Sequence, residues 1–270
     1  MAPVRVGVVG WPVAHSRSPV IFGHWFEAHG IDAVYETIPV APEDAGDFFA
    51  GLAQSHLHGV NVTMPHKEVA ARHVRLDPAG ARLGAINTVW RDGDGLAGTS
   101  SDGSGFVASL DDRAPHWRRD GNVLVLGAGG AAVAVADALV AGGARVVVTN
   151  RTAERAEALA ARVGAASVPW TAVPEALSEA DLLVNATSLG MAGSAPLSID
   201  LAPLKPSAVV ADLVYNPLET PLLAAARARG CAAVDGLGML LFQATVGFER
   251  WFGERPAVDE ALRAKVAATL

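Results

Sequence analysis

Strand-like apolar runs alternate with helix-like segments along most of this chain, and that alternation predicts an α/β protein. In the first hundred residues, strands are expected at 4–9, 34–40 and 59–63, with helices following Pro19 and Pro42. Residues 86–91 and 96–99 flank Asp92-Gly93-Asp94-Gly95, a turn sequence suited to positive φ. They predict an antiparallel hairpin at the edge of the first sheet.

The pattern then restarts. A helix is expected to open at Asp102 and run to about residue 110, followed by a polar stretch over 111–121. Asn122-Val123-Leu124-Val125-Leu126 is a short run without polar alternation, as expected of a strand covered on both faces of a parallel sheet. Further strands are predicted at 145–149, 181–186, 208–214 and 231–234, with helical segments between them, one of which stops at Gly230. Beyond Gly236 the chain reads as helical, with a break near Gly253 and Pro256. The expected organisation is a first domain over 1–101, a doubly wound second domain over 102–236, and C-terminal helices over 237–270 that pack back on the first domain.

Composition narrows the function classes. A net charge of −7 offers no broad attraction for nucleic acid, and no apolar run approaches the roughly 20 residues that span a bilayer. The N-terminus passes directly into a strand, without signal-peptide character, which makes the cytoplasm the expected location. Cys231 is the single cysteine, so an intramolecular disulfide is excluded, and its strand-like setting suits a buried, inert thiol. His56 and His58 lack the Cys, His or acidic neighbours of a metal site, and no metal is expected. A homodimer is compatible with the chain, although nothing in the sequence selects that state.

Gly127-Ala128-Gly129-Gly130-Ala131-Ala132 follows the buried strand and precedes an apolar helical run. This is the context in which a glycine turn brings a dinucleotide pyrophosphate to a helix N-terminus. About 20 residues on, where an acidic residue would receive the ribose hydroxyls of NAD, stands Asn150-Arg151-Thr152. Arg151, with Arg155 one turn later, can clamp a 2′-phosphate, so NADP is the expected cofactor. The competing reading of Arg155 is an ion pair with Glu154 or Glu157. Thr187, in Asn185-Ala186-Thr187-Ser188, lies where the nicotinamide half would pass.

Lysine is rare in this chain: Lys67, Lys205 and Lys265 are the three, and the remaining basic residues are arginine. A lysine gains significance where arginine cannot substitute, at a site that must release a proton. Lys67 ends the block Asn61-Val62-Thr63-Met64-Pro65-His66-Lys67 at a predicted strand-to-helix junction.

Together these blocks resemble the shikimate dehydrogenase family, in order and over nearly the whole chain. The loop Gly10-Trp11-Pro12-Val13-Ala14-His15-Ser16-Arg17-Ser18-Pro19 is similar to the family's N-terminal substrate loop, which implies that Ser16 and Ser18 hold a substrate carboxylate. The resemblance further implies a substrate contact for Thr63, the catalytic role for Lys67, and a binding role for Asn87 in Gly84-Ala85-Ile86-Asn87-Thr88. It supplies Asp102 as partner of the lysine, and it carries Tyr215 and Gln243 to the substrate side and Gly236 to the cofactor. The implied fold is an N-terminal α/β substrate domain joined to a Rossmann-type NADP-binding domain, with a cleft whose closure excludes water. The implied reaction is reduction of 3-dehydroshikimate to shikimate by NADPH. Two positions depart from the family pattern: Phe22-Gly23 replaces His-Asn, and Ser100-Ser101 replaces Asn-Thr before Asp102. Both are expected to border the pocket, which keeps quinate and aminoshikimate open as substrates. A non-catalytic NADP-binding regulator is the competing class.

Overall fold

The computed structural model describes residues 2–270, which form two compact units. The first comprises residues up to Ser101 together with Gln243–Thr269, and the second comprises Asp102–Phe242.

The first unit is built on β1 (Val4–Gly10), α1 (Ser18–His29), β2 (Ala33–Pro39), α2 (Ala45–Gly51), β3 (Gly59–Val62), α3 (Lys67–Ala71), β4 (Arg75–Leu76), α4 (Pro78–Leu83), β5 (Thr88–Asp92) and β6 (Gly95–Thr99). Its sheet runs β2-β1-β3-β5-β6-β4. β1 pairs in parallel with β2 and β3, while β5 is antiparallel to both β3 and β6. The expected hairpin is present, but it does not end the sheet. The two-residue β4 pairs in parallel with β6 and covers that edge. So short a strand has no apolar period to reveal it. It is held instead by side chains beyond it, where Thr99 Oγ1 donates to Asp77 Oδ2 at 2.7 Å and Asp77 caps α4 through the amide of Gly80.

The second unit contains α5 (Asp102–Arg113), β7 (Asn122–Leu126), α6 (Gly130–Ala141), β8 (Arg145–Thr149), α7 (Ala153–Val163), β9 (Ala166–Ser167), α8 (Val173–Glu179), β10 (Leu182–Asn185), β11 (Val209–Asp212), α9 (Pro221–Ala228) and β12 (Ala232–Val234). All its strand pairs are parallel, in the order β12-β11-β10-β7-β8-β9, which is a doubly wound Rossmann arrangement. The strands explain why their sequence lacks polar alternation. Val123, Val125, Val148 and Val184 enter one core, and Leu124, Leu126, Leu183 and Val210 enter the core on the opposite face. β9 escaped the sequence reading because, like β4, it is only two residues long.

The last helices are α10 (Leu237–Phe252) and α11 (Glu260–Ala267). The second unit was expected to end at residue 236, yet the division falls inside α10, between Phe242 and Gln243. The N-terminal turn of α10 belongs to the second unit because Gly236 and Gly238 allow close packing there. A Cβ at Gly236 would stand 2.2 Å from the Leu213 carbonyl oxygen, and one at Gly238 would stand 2.1 Å from Ser109 Oγ. The remainder is tied to the first sheet. Trp251 Nε1 donates to the Val89 carbonyl at 3.0 Å across Gly59, whose missing side chain leaves room for the indole. Phe248 packs with Phe22, Trp25 and Phe26, and Trp25 Nε1 donates to the Ala257 carbonyl at 2.9 Å. No helix of the described residues is long and apolar enough to cross a membrane.

Candidate active site

In the first unit, the ends of β1 and β3 gather the candidate substrate residues. Thr63 N donates to the Val9 carbonyl, Trp11 N to the Met64 carbonyl, Val62 N to the Asn87 carbonyl at 2.8 Å, and Ile86 N to the Lys67 carbonyl at 3.1 Å. These bonds bring the loop after β1, the Asn61–Lys67 block and the Asn87 segment together. Lys67 is the first residue of α3 and is partly exposed. His66, just before it, is buried, and its Nε2 hydrogen-bonds the Val40 carbonyl at 2.7 Å, which pins the turn that presents Lys67 to the end of β2. That structural bond accounts for the histidine in this block without giving it chemistry.

Asn87 is 2% exposed and has both ends of its amide engaged. Its Oδ1 accepts from Ser101 N at 2.8 Å and Ser101 Oγ at 3.0 Å, and its Nδ2 donates to Gln243 Oε1 at 2.7 Å. Gln243 therefore comes to the Asn87 side chain from 156 residues away in sequence. Ser18 is buried and its amide donates to Ser16 Oγ at 3.3 Å, while the Tyr35 hydroxyl donates to Asn61 Oδ1 at 2.7 Å. Thr63 is partly buried.

At the two departures from the family pattern, Phe22 and Ser101 are buried, while Gly23 and Ser100 are partly exposed. Phe22 is fully buried and stacks on Tyr35, with ring centroids 4.2 Å apart and an interplanar angle of 20°. Ser101 is 1% exposed and uses its hydroxyl on Asn87 and on the Gln243 carbonyl, at 2.9 Å for the latter. Ser101 thus acts on Asn87 and Gln243, which the sequence assigned to substrate, whereas Phe22 acts on Tyr35, which it did not assign. The Phe22 side chain is used in packing and the Ser101 side chain in hydrogen bonds.

In the second unit, the glycine turn has the geometry that a dinucleotide requires. Gly127 sits at φ +109°, where a side chain would be strained and would meet the backbone of Ala186 at 3.0 Å. Gly129 and Gly130 differ: they are exposed, and a Cβ on either would meet nothing within 4 Å. The space is thus left open on the outer side of the turn. No side chain caps α6, whose first amides and dipole face that space. Ala128 and Ala131 complete the turn. A dinucleotide pyrophosphate fits this set of donors.

Asn150, Arg151 and Thr152 follow β8 directly, and Asn150 Nδ2 closes the loop onto the Thr152 carbonyl at 3.0 Å. Arg151 and Arg155 are both exposed on this side. Thr187 is fixed by Asn185, whose Oδ1 accepts from both the amide and the hydroxyl of Thr187, at 3.1 and 2.7 Å. Asn185 in turn donates to Asp212 Oδ1 at 2.8 Å, and Asp212 also receives the Val214 amide and the Thr220 hydroxyl. Burial pushes the Asp212 carboxyl above its ordinary value, against the downward pull of these donors. This buried hub shapes the loop carrying Thr187 and the one carrying Tyr215, which is partly exposed. Asp102 is the partly exposed first residue of α5. Cys231 is buried, with its Sγ 3.7 Å from the Lys205 carbonyl.

Comparison with known proteins decides the family. Residues 8–89 match the shikimate dehydrogenase substrate binding domain, residues 113–192 match shikimate / quinate 5-dehydrogenase, and residues 236–264 match the shikimate 5'-dehydrogenase C-terminal domain. A shikimate dehydrogenase (NADP(+)) of Nitrobacter hamburgensis is 51% identical over 266 residues, covering 97% of this chain and 93% of the relative. The chain belongs to the shikimate dehydrogenase family. Among solved structures, shikimate 5-dehydrogenase from Thermus thermophilus, in complex with NADP(H) and shikimate, superposes with a TM-score of 0.88 at 36% identity, covering 99% of this chain and 100% of that one. Quinate dehydrogenase from Corynebacterium glutamicum, in complex with NAD, gives 0.91 at 30% identity over 98% and 99%. The fold is thus shared by a shikimate dehydrogenase solved with NADP(H) and a quinate dehydrogenase solved with NAD, and the side chains carry the distinction.

Sequence reasoning overlooked Tyr35 and gave Asn61, Ser101, Asn185 and Asp212 no chemistry. For Tyr35 the available signal was its rarity, since the chain has two tyrosines. For Asn61 and Asp212 it was a polar residue in a buried strand, which needs a partner.

Proposed function

We propose that the chain catalyses the reversible NADPH-dependent reduction of 3-dehydroshikimate to shikimate, in the cytoplasm, as a step of aromatic amino acid biosynthesis. The observation that carries this reading is the convergence, within the first unit, of Lys67 with the Asn87 segment through the Ile86–Lys67 and Val62–Asn87 hydrogen bonds.

NADPH supplies the hydride when bound, with the turn Gly127, Ala128, Gly129, Gly130 and Ala131 receiving its pyrophosphate and Arg151 and Arg155 its 2′-phosphate. Asn150, Thr152, Thr187 and Gly236 line the remainder of its path. Lys67, with Asp102 as its carboxylate partner, stabilises the developing alkoxide and delivers a proton to that oxygen. Ser16 and Ser18 hold the substrate carboxylate, and Thr63, Asn87, Tyr215 and Gln243 receive the ring substituents. A small polyhydroxylated acid needs such directional partners, because leaving any buried donor unmatched costs about 1–3 kcal/mol.

The test is the purified protein with shikimate or quinate and with NADP or NAD, followed by absorbance of the reduced cofactor. Strong turnover with shikimate and NADP is expected. Preference for quinate or for NAD would move the specificity, and tight NADP binding without turnover on any pair would leave a regulator.

A further inference from the structure

Asn185 and Asp212 face each other in the β10–β11 register and are 0% and 1% exposed, so their polar atoms depend on protein partners. Those partners fix which end of the Asn185 amide points where. Asp212 Oδ1 at 2.8 Å and the Leu189 carbonyl at 3.1 Å are acceptors, so they claim Nδ2 and turn Oδ1 toward Thr187. The Val214 amide and the Thr220 hydroxyl donate to the same carboxylate, at 3.0 and 2.7 Å, and hold it in place. Asn185 Oδ1 receives the Thr187 amide at 3.1 Å and the Thr187 hydroxyl at 2.7 Å, which uses the hydroxyl's proton. The Leu189 amide donates to Thr187 Oγ1 at 3.1 Å and occupies one of its lone pairs. With the bonds of the described residues counted, the hydroxyl still offers a single lone pair. Thr187 is partly exposed and stands against the glycine turn, where a Cβ at Gly127 would lie 3.0 Å from its Cγ2.

We propose that Asn185 is a positioning residue for the cofactor: by taking the Thr187 proton it makes that hydroxyl a hydrogen-bond acceptor, which receives an N–H of the nicotinamide carboxamide. This rests on the reading of Thr187 as a contact of the nicotinamide half. An amide nitrogen donates and has no lone pair to offer, so it matches a hydroxyl that cannot donate. Ribose hydroxyls do both and need no such arrangement. A threonine without Asn185 would turn its proton to whichever group approached. Asp212 keeps the arrangement from inverting. With the Asn185 amide turned over, its oxygen would face the carboxylate and the Leu189 carbonyl, and its nitrogen would face the Thr187 amide. Each of those buried pairs would be mismatched. A carboxylate on the neighbouring strand thereby decides what a hydroxyl beside the glycine turn can recognise.

Calorimetric titration of the purified protein, without substrate, reads this and needs no turnover. The ligands are NADP and its 3-acetylpyridine analogue, in which a methyl ketone replaces the carboxamide and leaves no N–H. Thr187→Val is expected to weaken NADP binding about five- to tenfold and the analogue by less than about twofold. Thr187→Ser keeps the hydroxyl and is expected to keep the wild-type preference. Asn185→Ala frees the Thr187 proton, which then turns to the ketone oxygen. The preference for NADP over the analogue is therefore expected to fall about fivefold although Thr187 is intact. A role confined to the stability of the loop would weaken both ligands by one factor and leave the preference as it was. If Thr187→Val leaves NADP binding unaltered, the reading of Thr187 as a cofactor contact fails, and this inference with it. If Thr187→Val weakens both ligands alike, or Thr187→Ser loses the preference, the carboxamide contact is overturned while the cofactor reading stands. If Thr187→Val shifts the preference and Asn185→Ala does not, the positioning role of Asn185 is overturned. Should Asn185→Ala not fold, Asn185→Leu, which fills the volume of the amide without its oxygen, takes its place under the same outcomes.

Discussion

The two units prepare their ligand sites by different means. In the second, the glycine turn presents backbone amides at the uncapped start of α6, and the decisive positions, Gly129 and Gly130, have no side chain and no neighbour. In the first, the candidate site is a set of side chains from separate segments, with hydrogen bonds joining Tyr35, Asn61, Thr88, Asn87 and Gln243. A backbone site depends on local conformation and open space, so a few consecutive residues specify it. A side-chain network depends on strand register and distant packing, and each member changes the state of the next. Damage to the first unit should therefore appear in chemistry and substrate KM, and damage to the second in cofactor KM and strain.

The largest expected effect lies in the first unit. Lys67→Ala should lower kcat by about 100- to 10,000-fold with a modest change in KM, and Lys67→Arg should not restore it, because guanidinium keeps the charge and does not release the proton. A near-wild-type kcat in either variant would take Lys67 out of the mechanism.

Next comes the turn itself. Gly127→Ala forces a side chain into φ +109° and 3.0 Å from the Ala186 backbone, which should cost about 1–3 kcal/mol of stability and raise KM for NADP. Urea denaturation and cofactor titration together measure both. An unshifted midpoint would mean that the turn relaxes at no cost.

Arg151→Ala should raise KM for NADP about tenfold and leave KM for NAD nearly constant, as loss of a charge-assisted phosphate contact predicts. Equal changes for both cofactors would refute the 2′-phosphate contact and weaken the contrast between the units. No ion pair between Arg155 and Glu154 or Glu157 forms among the described residues, which leaves that second guanidinium available to share the phosphate.

The smallest effect separates stability from function altogether. Asp181 is desolvated, which alone would raise its pKa. The Asn122 amide, the Lys205 ammonium at 3.0 Å and Arg118 outweigh that burial and hold it below its ordinary 3.8. A lowered carboxyl pKa contributes stability above 3.8 that is lost as pH falls through the folded value. Lys205→Met should thus lower stability by about 1 kcal/mol at pH 7, discounted for the partial exposure of the lysine, with kinetics unchanged. The gap between the variant and wild type should close in acid. A gap of constant size from pH 7 to below 3.8 would assign the loss to packing.

The sequence by itself determined the α/β class, the doubly wound second unit, the glycine turn and the positions of Lys67, Asp102 and Arg151. Each of these is written locally, in a buried strand without polar alternation or in a motif of consecutive residues whose backbone chemistry is its function. Only the tertiary structure decided that Gln243 bonds to Asn87, that Phe22 stacks on Tyr35 and Ser101 bonds to Asn87, that α10 is divided at residue 242, and that Tyr35 reaches Asn61. Those facts depend on which residues a strand register and a packed helix bring face to face. β4 and β9 escaped for a related reason, since two residues carry no period and hold their place only through partners that the fold supplies.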